Sequence, residues 1–229
     1  MDPAKLIFQM FWIGCAKRRG IAMKIIVFGP TGGTGRLLLE KAIHRRHSVT
    51  AFARNTSAIE PRPDLRTLAG NVLDAAAVAD AVAGHDAVLS SLGGRPWRTS
   101  PICGPAIRNI AAAMTTHCVR RIVAVSTLGA GETRADIGWF ARNVLFRFVL
   151  RNEVADKEAM ERHLNATDLD WIVVRVGILT NEAARETFRV ADDGSIRGMG
   201  KIARSDVVDF MLTQLESDTW LRRKPVIVY

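Results

Sequence analysis

Gly29, Gly32 and Gly35 stand three residues apart in KIIVFGPTGGTG, residues 24–35, with Thr31, Gly33 and Thr34 between them. Such a spacing suits the binding of an anion by main chain. A phosphate reaches backbone N–H groups only where no Cβ intervenes, and a tight turn needs residues that tolerate positive φ. Glycine meets both demands. An apolar run, 25–28, precedes the turn, and a helical segment beginning with Leu37, Leu38 and Leu39 follows it. The turn would then present the unpaired N–H groups and positive end of that helix to a diphosphate. The alternative is an ordinary strand-to-helix turn without a ligand.

A second chemical position lies after the β-branched segment SVTAFA, 48–53. An acid there would hydrogen-bond a free ribose 2′-OH, whereas an arginine accommodates a 2′-phosphate. This chain has Arg54 and no acid until Glu60, with Asn55, Thr56 and Ser57 as neutral donors. The reading is NADP(H) over NAD(H), against the alternative that Arg54 is a solvated loop residue.

The elements that must hold these residues follow from hydrophobic pattern. Apolar strands starting near 25, 48, 65, 86, 121 and 170 alternate with helical segments, among them 75–83 and 105–118. Parallel strands joined by crossovers of this length need intervening helices, which predicts an α/β, Rossmann-like, doubly wound parallel sheet. Ligands of such sheets lie across the carboxyl ends of the strands. Leu92 and Gly93 are therefore placed near the ribose and phosphates, with Arg95, beside Pro96, either there or free in the loop. Beyond Gly177 the pattern loosens, and 177–229 reads as a small substrate lobe of one domain spanning 23–229. It holds a hairpin through Asp193 and Gly194, a helix over 205–215 with Ser205 as N-cap, and a last edge strand at 225–229.

With Thr31 and Thr34 between its glycines, GPTGGTG resembles the fingerprint of the atypical and extended short-chain dehydrogenase/reductases. Pro30 stands where that superfamily has alanine. VAGHDAVLSSLG, AIRNIAAAM, DKEAMERHL, DWIVVRVG and IARSDVVDFML carry the likeness further, to NmrA-like NAD(P)H-binding reductases similar to flavin reductase/biliverdin-IXβ reductase. The resemblance implies that Asn71 and Val72, in GNVLD where the family has GDxxD, lie along the adenine. It also implies that Ser126, or Thr127 next to it, stands beside the acceptor carbonyl and the nicotinamide, and that Lys157 lies near the nicotinamide ribose. A serine that merely ends a strand is the alternative at 126. Where the family has RPG, this chain has Arg175, Val176 and Gly177.

In that superfamily a tyrosine four residues before the lysine completes an acid/base pair. Here the position is Glu153, and the sole tyrosine is Tyr229. Alcohol dehydrogenation by the usual route is therefore not expected. Hydride transfer to a flavin, quinone, bilin or related conjugated acceptor, with protons from solvent, remains feasible. The other implied function is that of a non-catalytic redox sensor which binds NADP(H).

Composition bounds the rest. A length of 229 residues, 48% of them hydrophobic, suits one domain with a full core. Cys15, Cys103 and Cys118 are too few and scattered for a disulfide framework or a zinc site, which fits a reducing, cytoplasmic setting. The net charge of +9 is spread along the chain with no run longer than Lys17, Arg18 and Arg19, and this argues for an anionic cofactor rather than nucleic acid. The apolar run over 6–15 precedes its positive charges, the reverse of a signal peptide, and is too short to span a bilayer. Residues 1–22 are expected as an extension outside the fold, with a short interfacial helix as the alternative. In 136–151 an apolar stripe (Phe140, Val144, Leu145, Phe148, Val149) reads as packing, or as a lid or dimer face. The protein is expected as a monomer or homodimer, without stable membrane insertion.

Overall fold

The structure, a computed structural model, describes residues 22–93, 101–131 and 151–229. The expected extension over 1–22, Arg95 and the stripe over 136–151 lie outside those residues, save Ala22 and Arg151 at their margins.

In chain order the elements are β1 (Lys24–Phe28), α1 (Gly33–His44), β2 (Ser48–Ala53), β3 (Leu65–Ala69), α2 (Ala75–Val82) and β4 (Ala87–Ser90). There follow α3 (Cys103–Thr116), β5 (Arg121–Thr127), α4 (Arg151–Asn165), β6 (Asp170–Val176), β7 (Ile178–Thr180), β8 (Arg189–Ala191), β9 (Lys201–Ala203), α5 (Arg204–Thr213) and β10 (Val226–Val228). Eight strands form one sheet in the order β3-β2-β1-β4-β5-β6-β10-β8. All neighbours in it are parallel except β8, which runs antiparallel to β10. The chain winds outward from β1 in both directions, so the order reverses between β1 and β4 and leaves a crevice at their carboxyl ends.

Every residue of β4, and all but the first of β1 and β6, is buried, as expected for parallel strands covered on both faces. Alternate side chains divide between two cores. Ile25, Val27, Val123, Val125, Ile172 and Val174 pack with α1 and α5, whereas Ile26, Phe28, Ile122, Ala124, Trp171 and Val173 pack with α2, α3 and α4. Ser126 and Arg175 continue the second set and are paired across β5 and β6. Their side chains therefore point at α4.

Three expectations for the last fifty residues are corrected. β10 is an interior strand between β6 and β8, not an edge; Val226, Ile227 and Val228 are all buried, so both its faces and both its backbone edges are covered. The 193–194 turn exists, with Ser195 N–H donating to Asp193 Oδ1, but no hairpin forms across it. The strand before it, β8, pairs with β10, and the strand after it, β9, pairs in parallel with β7 in a second, two-stranded sheet. Ser205 is not the N-cap of α5 either: Ala203 holds that place, and no side chain caps the helix.

α4 is fastened by charge. The Asp156 carboxylate, 6% exposed, accepts hydrogen bonds from the backbone N–H groups of Ile102, Cys103 and Gly104 at 2.7–2.8 Å. A carboxylate from one helix thus caps the start of another, α3, whose own N-cap residue Ile102 has no side-chain acceptor. Asp156→Ala strands these buried donors and is expected to cost on the order of 3 kcal/mol. Asp156→Asn should cost less. Urea midpoints measure both, and an unchanged midpoint for the alanine variant would contradict this account.

Candidate functional site

The crevice between β1 and β4 is closed at its floor by main chain. Gly29 has φ +80°, and a Cβ there would sit 2.9 Å from the carbonyl carbon and oxygen of Ser91. Ser91 Oγ in turn donates to the Gly29 carbonyl at 3.0 Å. Gly35 is tighter still: a Cβ would come within 2.0 Å of the Gly29 oxygen. Both glycines are requirements of the fold, because they let α1 start directly against the end of β1.

Gly32 and Gly33 differ. Gly32 has φ −74° and ψ 165°, open to any residue, and a Cβ would meet nothing nearer than the Gly29 oxygen at 3.7 Å. Neither packing nor backbone strain calls for glycine there. Thr31, Gly32 and Gly33 are all exposed, while Pro30, Thr34 and Gly35 are buried. A bare, solvent-facing stretch of main chain therefore leads into α1, which has no side-chain cap and no acid in its first turn. Uncapped N–H groups and a positive helix end would suit an anion there, and the absent Cβ would leave room for a diphosphate.

The other expected residues line up along strand ends in sheet order. Asn71 and Val72 follow β3, Arg54 follows β2, the glycine turn follows β1, Leu92 and Gly93 follow β4, and Ser126 and Thr127 end β5. Four inter-strand steps separate the first from the last, about 19 Å. Such a row suits an extended ligand. Arg54 is exposed and makes no ion pair with any described residue. Behind it the Asn55 side chain accepts from Ser57 N–H and Oγ, which fixes the loop. Asn71 is exposed, its Oδ1 accepting from Leu73 N–H, while its amide nitrogen has no described partner. Val72 is buried, and its carbonyl accepts from Asn109 Nδ2.

Toward β5 the chemistry changes. Lys157, 4% exposed, donates from Nζ to the carbonyls of Leu92 at 2.6 Å and Val125 at 2.7 Å. It ties the carboxyl ends of β4 and β5 together. Ser126, 1% exposed, donates from Oγ to Glu161 Oε1 at 2.6 Å. Glu161 also receives Arg175 Nε and Nη2 in a bidentate pair, 3.1 and 2.6 Å, with Lys224 Nζ 3.7 Å away. The serine hydroxyl thus faces a buried carboxylate beneath the sheet rather than open crevice.

The position four residues before Lys157 is held by Glu153. Burial raises its carboxyl above the usual range, Lys157 opposes that and Asp156 adds to it. Tyr229 belongs elsewhere, donating to Asp206 Oδ2 at 2.6 Å and accepting from Ala203 N–H at 3.1 Å. Burial and that bond to Asp206 push its phenol upward. Burial also pushes the Cys103 thiol up to about 11, so it is neutral at physiological pH and a poor nucleophile. Among the described residues no cluster of His, Cys, Asp or Glu could hold a metal, and no helix is long and apolar enough to cross a membrane.

Two features escaped the sequence reading. The Glu161–Arg175 pair joins residues fourteen apart on different elements, and only strand parity, which sets Ser126 and Arg175 on the face of Ile122 and Trp171, could have signalled it. The second is Arg204, whose side chain lies against Gly33: a Cβ on that glycine would be 3.0 Å from Arg204 Nε.

Known proteins agree with this architecture. The oxidoreductase ylbE from Lactococcus lactis superposes with a TM-score of 0.79 at 20% identity, covering 90% of each chain. ChuY, an anaerobillin reductase from Escherichia coli, gives 0.77 at 21% identity, covering 90% of this chain and 96% of its own. A short-chain dehydrogenase/reductase from Veillonella parvula, solved in complex with NADP, gives 0.75 at 15% identity, covering 91% and 95%. These likenesses establish a shared Rossmann-like fold. Residues 29–218 match the model of a family described as NAD(P)H-binding, and since that match takes in most of the chain, the protein belongs to that family.

Proposed function

We propose that the protein is an NADPH-dependent reductase that passes hydride to a flavin, quinone, bilin or related conjugated acceptor. The observation that carries this reading is the exposed main chain of Thr31, Gly32 and Gly33 at the uncapped start of α1. Thr31, Gly32 and Gly33 would hold the diphosphate, Arg54, Asn71 and Val72 the adenosine part, and Leu92 and Gly93 the nicotinamide side. Bound NADPH supplies a hydride, and the acceptor takes it together with one proton from solvent.

The chain's own part is binding and alignment. Arg54 offers a planar fork to the 2′-phosphate. Lys157 fixes the strand ends against which the nicotinamide ribose rests, and Ser126, through Glu161 and Arg175, holds the end of β5 to α4. Ser126 is thus given a positioning role in place of direct contact with the acceptor. The fold likeness to an anaerobillin reductase supports a large conjugated acceptor.

A second reading is a redox sensor that binds NADP(H) and reports to a protein partner. It is favoured by the one observation that the phenol is missing and the Ser126 hydroxyl is engaged with Glu161. Linkage then requires partner affinity to differ between NADP and NADPH. Equal affinities end the sensor reading.

Three outcomes are expected of the reductase. Calorimetric titration should show Arg54→Ala weakening NADPH roughly 10- to 100-fold, the loss of charge-assisted hydrogen bonds, with NADH unchanged. Equal losses for both nucleotides would show that Arg54 does not read the 2′-phosphate. Wild-type protein should consume NADPH with FMN or a quinone, and binding without turnover across a broad acceptor panel would contradict the reductase reading. Glu153→Gln should leave kcat and the pH–rate profile unmoved, because the proton comes from solvent. If an alkaline limb, with activity falling as pH rises through the raised Glu153 value, disappears in that variant, then Glu153 is the acid.

A further inference from the structure

Arg204 is the first residue of α5. α5 runs alongside α1 and is pinned to it: Lys41 Nζ meets Asp209 Oδ2 at 2.5 Å, and Arg45 Nη2 meets Asp209 Oδ1 at 3.0 Å. Lys41 Nζ also donates to the Ser205 carbonyl at 3.4 Å. With these tethers in place, the first residue of α5 lies beside the first residue of α1. A Cβ on Gly33 would stand 3.0 Å from Arg204 Nε, 3.2 Å from its Cδ and 3.7 Å from its Cζ.

The charges at this meeting point are all of one sign. α1 and α5 both start without a side-chain cap, so two positive helix ends converge with a guanidinium between them. α1 has no acid in its first turn. The one acid in the first turn of α5, Asp206, is 1% exposed, and its oxygens accept from the N–H groups of Arg185 and Glu186 and from the Tyr229 hydroxyl. Arg204 itself has a neutral partner, Nη1 donating to Asn181 Oδ1 at 2.6 Å, and no ion pair with any described residue. A guanidinium left without a counter-charge against exposed glycine at a helix start is a binding group for an anion.

We propose that Arg204 is a further cofactor-binding residue, which closes over the nucleotide's diphosphate from the α5 side while the glycine turn holds it from the α1 side. This rests on the nucleotide site described above. It adds a side-chain charge to a cradle that otherwise consists of main chain, and it makes the placement of α5 part of nucleotide affinity. Because the diphosphate is common to NADPH, NADH and ADP-ribose, Arg204 serves all three alike, in contrast to Arg54. An anion carried by the acceptor, such as the phosphate of FMN, would offer the same chemistry, and the experiment separates the two.

The test is calorimetric titration of NADPH, NADH and ADP-ribose into wild type, Arg204→Met, Arg204→Lys and Asn181→Ala, without acceptor. Methionine keeps an apolar stem over Gly33, and thermal melts of each variant check that it folds. The expected result is a loss of roughly tenfold or more for all three ligands in Arg204→Met, the size of a charge-assisted hydrogen bond. Arg204→Lys should recover part of it, and the salt dependence of binding should flatten in Arg204→Met. Asn181→Ala, which leaves the charge but removes its tether, should give a smaller loss. Unchanged affinities in both Arg204 variants, with wild type binding normally, overturn the proposal and leave the nucleotide reading intact. A defect confined to the KM for FMN and absent with riboflavin also overturns it, assigning the arginine to the acceptor. Wild type that binds none of the three ligands removes both.

Discussion

The end of β1 and the start of α1 come together so closely that the Gly29 carbonyl oxygen occupies space next to Gly35 where no side chain fits. Everything else at the site follows from that approach. It aims the first turn of α1 at the carboxyl ends of the strands and leaves Thr31, Gly32 and Gly33 as an uncovered lip over the β1–β4 crevice. Gly29 and Gly35 are thus explained by the fold, Gly33 lies against the Arg204 side chain, and Gly32 is left without an internal reason. Gly32 in particular answers to no internal contact, so its lack of a side chain is informative about a ligand.

α4 supplies the second organising element. Three of its charged side chains, Asp156, Lys157 and Glu161, are almost fully buried, and each is matched to a different neighbour. Asp156 holds the start of α3, Lys157 joins the ends of β4 and β5, and Glu161 pairs with Arg175 of β6 and receives Ser126 of β5. A buried pair such as Glu161–Arg175 gives modest net stability for its desolvation, but removing one partner is strongly destabilising. The effect is to fix the carboxyl ends of β4, β5 and β6 with directional bonds, where apolar packing alone would allow sliding. On the reductase reading proposed above, hydride transfer would depend on such alignment.

Much of this was legible in the chain. β2 matches the expected segment residue for residue, and β3 and β6 begin where expected, because short runs rich in apolar residues and bounded by turn residues leave little choice of boundary. The glycine turn, Arg54 and the row of strand ends followed from the same pattern. The region after Gly177 was harder, since three-residue strands have no periodicity to read. There long-range contacts decide the pairing: a Cβ on Gly177 would lie 2.0 Å from the Gly200 carbonyl, an approach that brings β9 beside β7 and precludes the local hairpin. The unbroken Val226-Ile227-Val228 triplet, with no polar residue to face solvent, was the available sign of an interior strand. Ser126 was read by its place at the end of β5 and not by its parity, and Arg204 was hidden beside a serine that looked like a helix cap.

The claim beneath all of these is that the bare main chain at Gly32 receives a diphosphate. Gly32→Ala tests it most directly, because the added methyl group meets only ordinary contact distance within the protein but projects into the space assigned to the ligand. The account expects the variant to melt at the wild-type temperature in the absence of nucleotide, and calorimetry to show NADPH and NADH binding both severely weakened. Undiminished binding of both nucleotides by a normally folded Gly32→Ala protein would contradict it.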